Sequence, residues 1–148
     1  MLNDAIVSFS HEIIKSILSF NNNDINKSFR ERCRTLLTNI YYNGIYYTFL
    51  YASARSKGLT FSLLSHVCEI SLDSVIVNKE DVKPEEISYA LYADYLVCLL
   101  YKLELIPHNT LQDKDELLKL LKENDLTFTK IAYEGAKIIK LLAEAMIK

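Results

Sequence analysis

The sequence predicts an all-α protein, with residues 1–148 forming one compact bundle of about six to seven helices in a single domain. Three observations carry that expectation. Apolar residues recur at helical spacing along most of the chain. Only three Gly and two Pro interrupt it, whereas a sandwich or barrel needs a turn signal every ~8–12 residues. Half of the residues are apolar, which supplies a core and excludes the disordered class.

The first helix is expected over 2–20, where Ile6, Phe9, Ile13, Ile17 and Phe20 form one stripe. Asn3 or Asp4 can cap it, and Asn21-Asn22-Asn23-Asp24 ends it. A second helix runs from about Asn26 to Tyr42 on Phe29, Cys33, Leu36, Leu37 and Ile40. Asn43-Gly44 is also a hairpin signal with β-favouring flanks, so a strand pair competes there. The longer apolar context favours two helices meeting at the Gly, the second closed by a cap at Lys57-Gly58.

A short helix is expected over Phe61–Ser71 and a loop over Asp73–Lys83, with Val75-Ile76-Val77 against the core. Pro84 suits the first position of the next helix, with Glu85 and Glu86 at the positive end of its dipole. That helix extends to about Leu105 on Ile87, Leu91, Tyr95, Cys98, Leu99 and Leu103, and Pro107 breaks it. Leu111–Lys122 and Thr127–Lys148 complete the set. The last helix shows Phe128, Ile131, Gly135, Ile138, Leu142 and Met146 on one face, with Ala132, Ile139 and Ala143 beside them. Its other side offers the pairs Lys130–Glu134, Lys140–Glu144 and Glu144–Lys148.

Cys33, Cys68 and Cys98 are odd in number and form no C-x-x-C, so three buried thiols in a reducing compartment are expected. Met1-Leu2-Asn3-Asp4 lacks the basic start of a signal peptide. The longest apolar run, Tyr95–Tyr101, falls short of the ~20 residues that span a bilayer. A cytoplasmic protein without a membrane partner is therefore expected.

His11, His66 and His108 stand alone, without the spacing of a metal site. Asp113-Lys114-Asp115-Glu116 suits a helix start better than a cation. No phosphate loop or nucleophile elbow is present. The expectation is a non-enzyme without catalytic residues, metal or cofactor.

Net charge is −2 overall but uneven: −2 over 1–25, +5 over 26–58, −7 over 59–126 and +2 over 127–148. Lys27, Arg30 and Arg34 share one helix face, while Arg32 points elsewhere. Arg55 and Lys57 close the following helix, and Lys130, Lys137 and Lys140 lie on the last one. Of these, Lys27, Arg30, Arg34, Arg55, Lys57, Lys137 and Lys140 are the candidate nucleic-acid contacts; the alternative is an ordinary solvated face. Six aromatics crowd Tyr41, Tyr42, Tyr46, Tyr47, Phe49 and Tyr51. They suit either a stacking platform or a core or subunit interface.

Three stretches resemble the small helical subunit of the Cmr complex, the type III-B CRISPR RNA-guided effector. The first is Leu36-Leu37-Thr38-Asn39-Ile40-Tyr41-Tyr42-Asn43-Gly44-Ile45-Tyr46-Tyr47-Thr48-Phe49-Leu50, followed by Tyr51-Ala52-Ser53-Ala54-Arg55-Ser56-Lys57. It is similar to that family's helix–Asn-Gly–helix segment with a basic end. The second is Tyr89–Leu103, like the family's aromatic-rich helix after an acidic loop. The third is Tyr133-Glu134-Gly135-Ala136 through Met146-Ile147-Lys148, like its closing helix. The resemblance implies a subunit without nuclease activity. It would stack in copies along an effector complex and help hold the guide RNA–target RNA duplex, with other subunits of the complex as partners. A helical protein-interaction adaptor that never touches RNA is the rival expectation. Under the leading one, replacing Lys27, Arg30 and Arg34 together by Glu should weaken RNA binding without unfolding the chain.

Overall fold

The chain is already helical at Leu2, so Asn3 and Asp4 lie inside the first turn rather than capping it. The computed structural model describes residues 2–61, 68 and 82–148. Among these residues there are helices, turns and no strand, as the all-α expectation requires. The expected helix Phe61–Ser71 and loop Asp73–Lys83, with Val75-Ile76-Val77 and His66, lie outside the described residues apart from 61, 68, 82 and 83.

Helix α1 (Leu2–Leu18) buries Ile6, Phe9, Ile13 and Ile17 of the expected stripe, with Ile14 beside them, and ends two residues before Phe20, which is half-buried. The Asn-rich string then turns the chain. Asn21 takes a positive φ of 53°, and the Asn22 side chain accepts from the Asp24 and Ile25 amides at 3.1 Å. That cap starts helix α2 (Asn23–Arg55) three residues ahead of the sequence expectation.

Helix α2 is bent at Gly44, whose φ of 84° and ψ of 173° are not helical. That region of backbone space is essentially open to glycine alone. The limb after the bend needs new partners for its first amides. Ile45 N donates to Thr129 Oγ1 and Tyr46 N to Asp125 Oδ1, each at 2.9 Å. The Asn-Gly signal is thus a helix–helix joint and not a hairpin. At the far end Lys57 itself takes the left-handed conformation, with φ 55°, and Gly58 follows it. Gly58 N donates to Ser53 O and Lys57 N to Ala54 O, a Schellman closure.

Helix α3 (Pro84–Lys102) begins at Pro84 as expected, and Lys83 N donates to Glu86 Oε1 at 3.1 Å. Every residue from Glu86 to Leu100 is buried, so α3 is a central helix rather than an amphipathic one. It stops at Lys102, short of Leu105, because Glu104 turns left-handed (φ 64°) and Leu105 N reaches back to Leu100 O. The expected helix Leu111–Lys122 is two: α4 (His108–Leu111) and α5 (Lys114–Glu123). Asp113 separates them by capping α5 through the Asp115 and Glu116 amides.

Helix α6 (Asp125–Met146) buries Phe128, Ala132, Gly135, Ala136, Ile139 and Ala143. The expected face is therefore rotated toward the small residues, leaving Ile131, Ile138, Leu142 and Met146 half-buried. The reason is close approach to α3. A Cβ on Gly135 would run into Leu99 and come within 2.9 Å of the Tyr95 hydroxyl. Tyr95 Oη donates to Gly135 O at 3.0 Å and lies 2.6 Å from Ser10 Oγ, tying α1, α3 and α6 together. Helix α2 packs along both α3 and α6, and α1 packs chiefly on α6.

The expectation of three free thiols is corrected. Cys68 and Cys98 are joined as a disulfide, and Cys33 alone is a free, buried thiol. The partners are 30 residues apart with Cα atoms 5.0 Å from one another, a proximity that local spacing does not encode.

Candidate nucleic-acid interface

The structure divides the seven predicted basic residues into two groups. Lys27, Arg30 and Arg34 lie on the first limb of α2, beside the C-terminal half of α6 that carries Lys137 and Lys140. Only Lys27 is exposed without a carboxylate partner among the described residues of this group. Arg30 is half-buried and donates from Nη1 to Ile147 O at 2.9 Å, closing an orphan carbonyl at the end of α6. Arg34 lies between Glu144 (3.4 Å) and Glu31 (3.6 Å). Lys140 approaches Glu144 at 4.0 Å.

Lys137 Nζ bonds Glu134 at 2.8 Å, in place of the expected Lys130–Glu134 pair. That bond raises the Lys137 pKa above its ordinary value. The ammonium also stands 4.9 Å from the centre of the Tyr133 ring.

Arg55 and Lys57 form the second group, at the other end of α2. Lys57 Nζ is 2.9 Å from Glu86 Oε2, and this bond, with that from the Lys83 amide, holds the Glu86 carboxyl below its ordinary pKa. The Arg55 guanidinium stands 5.1 Å from the Tyr51 ring.

The tyrosines separate by role. Tyr92 and Tyr95 are fully buried, and burial pushes both hydroxyls above their ordinary pKa. Of the crowded six, Phe49 is buried, Tyr46 and Tyr51 are half-buried, and Tyr41, Tyr42 and Tyr47 are exposed. Tyr41 and Tyr42 meet edge to face at 4.9 Å, and Tyr41 lies 5.6 Å from Tyr133 of α6. With Leu37 and Thr38 these rings line an open cleft of about 290 Å³.

A second aromatic row runs from Tyr47 to Tyr51 (6.4 Å) and on to Tyr89 of α3 (6.1 Å). Arg32 caps it, 4.4 Å from the Tyr89 ring and 3.8 Å from Glu85. Helical spacing turns Arg32 away from Lys27, Arg30 and Arg34, which excludes it from the predicted basic face. That orientation carries it to α3, and its ring partner is too distant in sequence for any local spacing to reveal it.

Among the described residues no three His, Cys, Asp or Glu side chains gather into a metal-binding group. His11 and His108 are exposed and far apart in the chain, the latter touching Gln112 and Tyr101. An open cleft of about 460 Å³ lies along Tyr101, Lys102, Glu104, Ile106, Pro107 and His108. Asp94, at the centre of α3, is fully buried, with neither carboxyl oxygen hydrogen-bonded among the described residues, so it cannot act on a surface ligand. Among the described residues no helix is long and apolar enough to cross a membrane.

These features define a class: an all-helical module with two charged and aromatic surfaces and a closed core. Two solved structures share its fold. One is a chain in the cryo-EM structure of the type III-B Cmr-beta complex bound to non-cognate target RNA. It is 19% identical with a TM-score of 0.81, covering 97% of this chain and 96% of that one. The other is a chain in the cryo-EM structure of the type III-B Cmr-beta bound to cognate target RNA and AMPPnP. It is 19% identical with a TM-score of 0.79, covering 98% and 97%. The sequence matches no protein-family model and no curated protein.

Proposed function

We propose that this chain is a non-catalytic small subunit of a type III-B CRISPR RNA-guided effector in the cytoplasm. In this reading copies of the chain line the complex beside its other subunits and contact the backbone of the guide–target RNA duplex. The observation that carries it is the whole-chain agreement in fold with chains of RNA-bound Cmr-beta complexes, at TM-scores of 0.79 and 0.81. The contacts would come from Lys27, Arg30, Arg34, Arg55, Lys57, Lys137 and Lys140. Phosphates would compete with Glu144, Glu86 and Glu134 for several of these cations, so binding should be salt-sensitive.

One observation favours a second reading, a protein-binding adaptor without RNA. Arg34, Lys57, Lys137 and Lys140 already meet carboxylates in the free chain.

Arg30 is unsuitable for the charge-reversal test that the sequence suggests, because it caps α6. The double variant Lys27→Glu/Arg34→Glu leaves that bond intact. In the assembled effector it should weaken target RNA binding and flatten the salt dependence, by a log–log slope of roughly 0.7–0.9 for each phosphate no longer neutralised. Unchanged affinity and slope would remove these residues from the interface. A pull-down that yields partner proteins but no RNA, unaffected by nuclease, would favour the adaptor.

A further inference from the structure

We infer that the cleft formed by Tyr41, Tyr42 and Tyr133 is a stacking site for one unpaired nucleobase of bound RNA, with Lys137 beside it to receive the adjoining phosphate. This rests on the RNA-binding reading above and adds to it a contact with a base rather than with backbone.

Tyr41 and Tyr42 leave 63% and 75% of their surface in water, although most of the other tyrosines are half-buried or buried. Neither is held outward by a hydrogen bond of its hydroxyl among the described residues. Tyr41 stands edge-on to Tyr42 and tilted by 47° to Tyr133, so the three rings make an angular recess rather than a closed stack. Such a recess offers aromatic surface to a flat guest, and every base has a π-face to match it.

Size argues for a single ring system. About 290 Å³ is at the low end of the ~300–1,000 Å³ typical of small-ligand pockets and holds no folded segment. Thr38 on the wall is exposed and able to hydrogen-bond the edge of a base.

Charge argues for a nucleotide over an apolar peptide. Lys137 is 4.9 Å from the Tyr133 ring, Lys130 is exposed further back along α6, and residues 127–148 carry a net +2. Glu134 is the opposing charge, paired to Lys137 at 2.8 Å, and a phosphate would take its place. The Arg32–Tyr89–Tyr51 row does not compete for this role, because Tyr89 is only 6% exposed.

The test uses the full chain, wild-type and carrying Tyr41→Ala/Tyr42→Ala or Tyr42→Phe. The probes are a fluorescent oligoadenylate and an abasic oligomer of equal length and charge, followed by anisotropy. Because the chain has no Trp, quenching of tyrosine emission gives a second readout. The expected result is about tenfold tighter binding of the base-bearing oligomer than of the abasic one. The double Ala variant should lose that preference while still binding the abasic oligomer, and Tyr42→Phe should keep it. Circular dichroism verifies that each variant is folded.

Equal binding of the two oligomers, or a preference that survives Tyr41→Ala/Tyr42→Ala, overturns the base site while leaving the backbone reading standing. If Lys27→Glu/Arg34→Glu changes neither oligomer and the tyrosine effect persists, the backbone residues fall and the base site stands. If wild-type protein binds neither oligomer, or a decaproline peptide quenches the tyrosines instead, the proposal is wrong.

Discussion

Replacing Asp94 by Asn removes the ionisable group that α3 carries into the centre of the fold, and the consequence follows from its burial. Asp94 is 0% exposed, and among the described residues neither oxygen has a hydrogen-bond partner. Burial alone pushes its pKa well above the usual carboxylate value. The folded chain therefore holds this proton more tightly than the unfolded chain, whose Asp titrates near ~3.9.

Below about pH 4 both states are protonated and the burial of Asp94 carries no ionisation cost. Above it the unfolded state releases the proton first, so stability falls as pH rises. The slope approaches about 1.36 kcal/mol per pH unit until the folded carboxyl itself ionises. Over that window the loss accumulates at this rate and becomes a sizeable part of the ~5–15 kcal/mol that holds a domain together.

Asp94→Asn should lose this slope. Its buried amide adds an unsatisfied donor costing about 1–3 kcal/mol, but that cost does not vary with pH. The diagnostic is consequently the slope and not the height. Urea denaturation of both proteins from about pH 4 to 8 measures it, and subtraction cancels the other titrating groups. Glu86 acts in the opposite sense and below this window: its pKa is lowered, so its contribution is lost as pH falls through the folded value. Parallel pH profiles for wild-type and variant would refute the reasoning.

Two further perturbations test the joints of the fold. Gly44→Ala would place a Cβ 2.7 Å from the Asp125 carboxylate in a backbone region that only glycine occupies readily. Thermal melting should show a loss of about 2–4 kcal/mol, from backbone strain and the displaced Asp125–Tyr46 bond; an unchanged melting temperature would contradict it. Reducing Cys68–Cys98 should cost about 3–4 kcal/mol in the chain-entropy account, given the separation of 30 residues. Thiol titration in denaturant should count one thiol before reduction and three after, and three from the outset would disprove the pairing.

The periodic helices were legible in the sequence because one buried stripe on a solvated helix imposes its own period. Ile6, Phe9, Ile13 and Ile17 show this in α1, and all four are buried. Punctuation was legible too: Pro84 opens α3, Gly44 bends α2, and Asn21 and Asn22 separate α1 from α2. Period was misleading where neighbours decided. In α3 the stretch from Glu86 to Leu100 is buried on all sides, so nothing in its pattern marks Asp94 as a core residue. In α6 the expected face kept Phe128 and Gly135, but burial turned from Ile131, Ile138, Leu142 and Met146 to Ala132, Ala136, Ile139 and Ala143, because small residues there let α3 come close.

For the candidate interface, the sequence by itself determined which residues bear charge or rings and on which helix each one rides. It could place Lys27, Arg30 and Arg34 on one face, since three residues on one helix share a rigid frame. Only the tertiary structure decided their partners. Arg30 caps a carbonyl 117 residues away, Arg32 meets Tyr89, Cys68 meets Cys98, and Tyr41 meets Tyr133. Helical spacing links neighbours within a turn or two, whereas these pairs depend on how α2, α3 and α6 pack, which is set by the shape of the whole core.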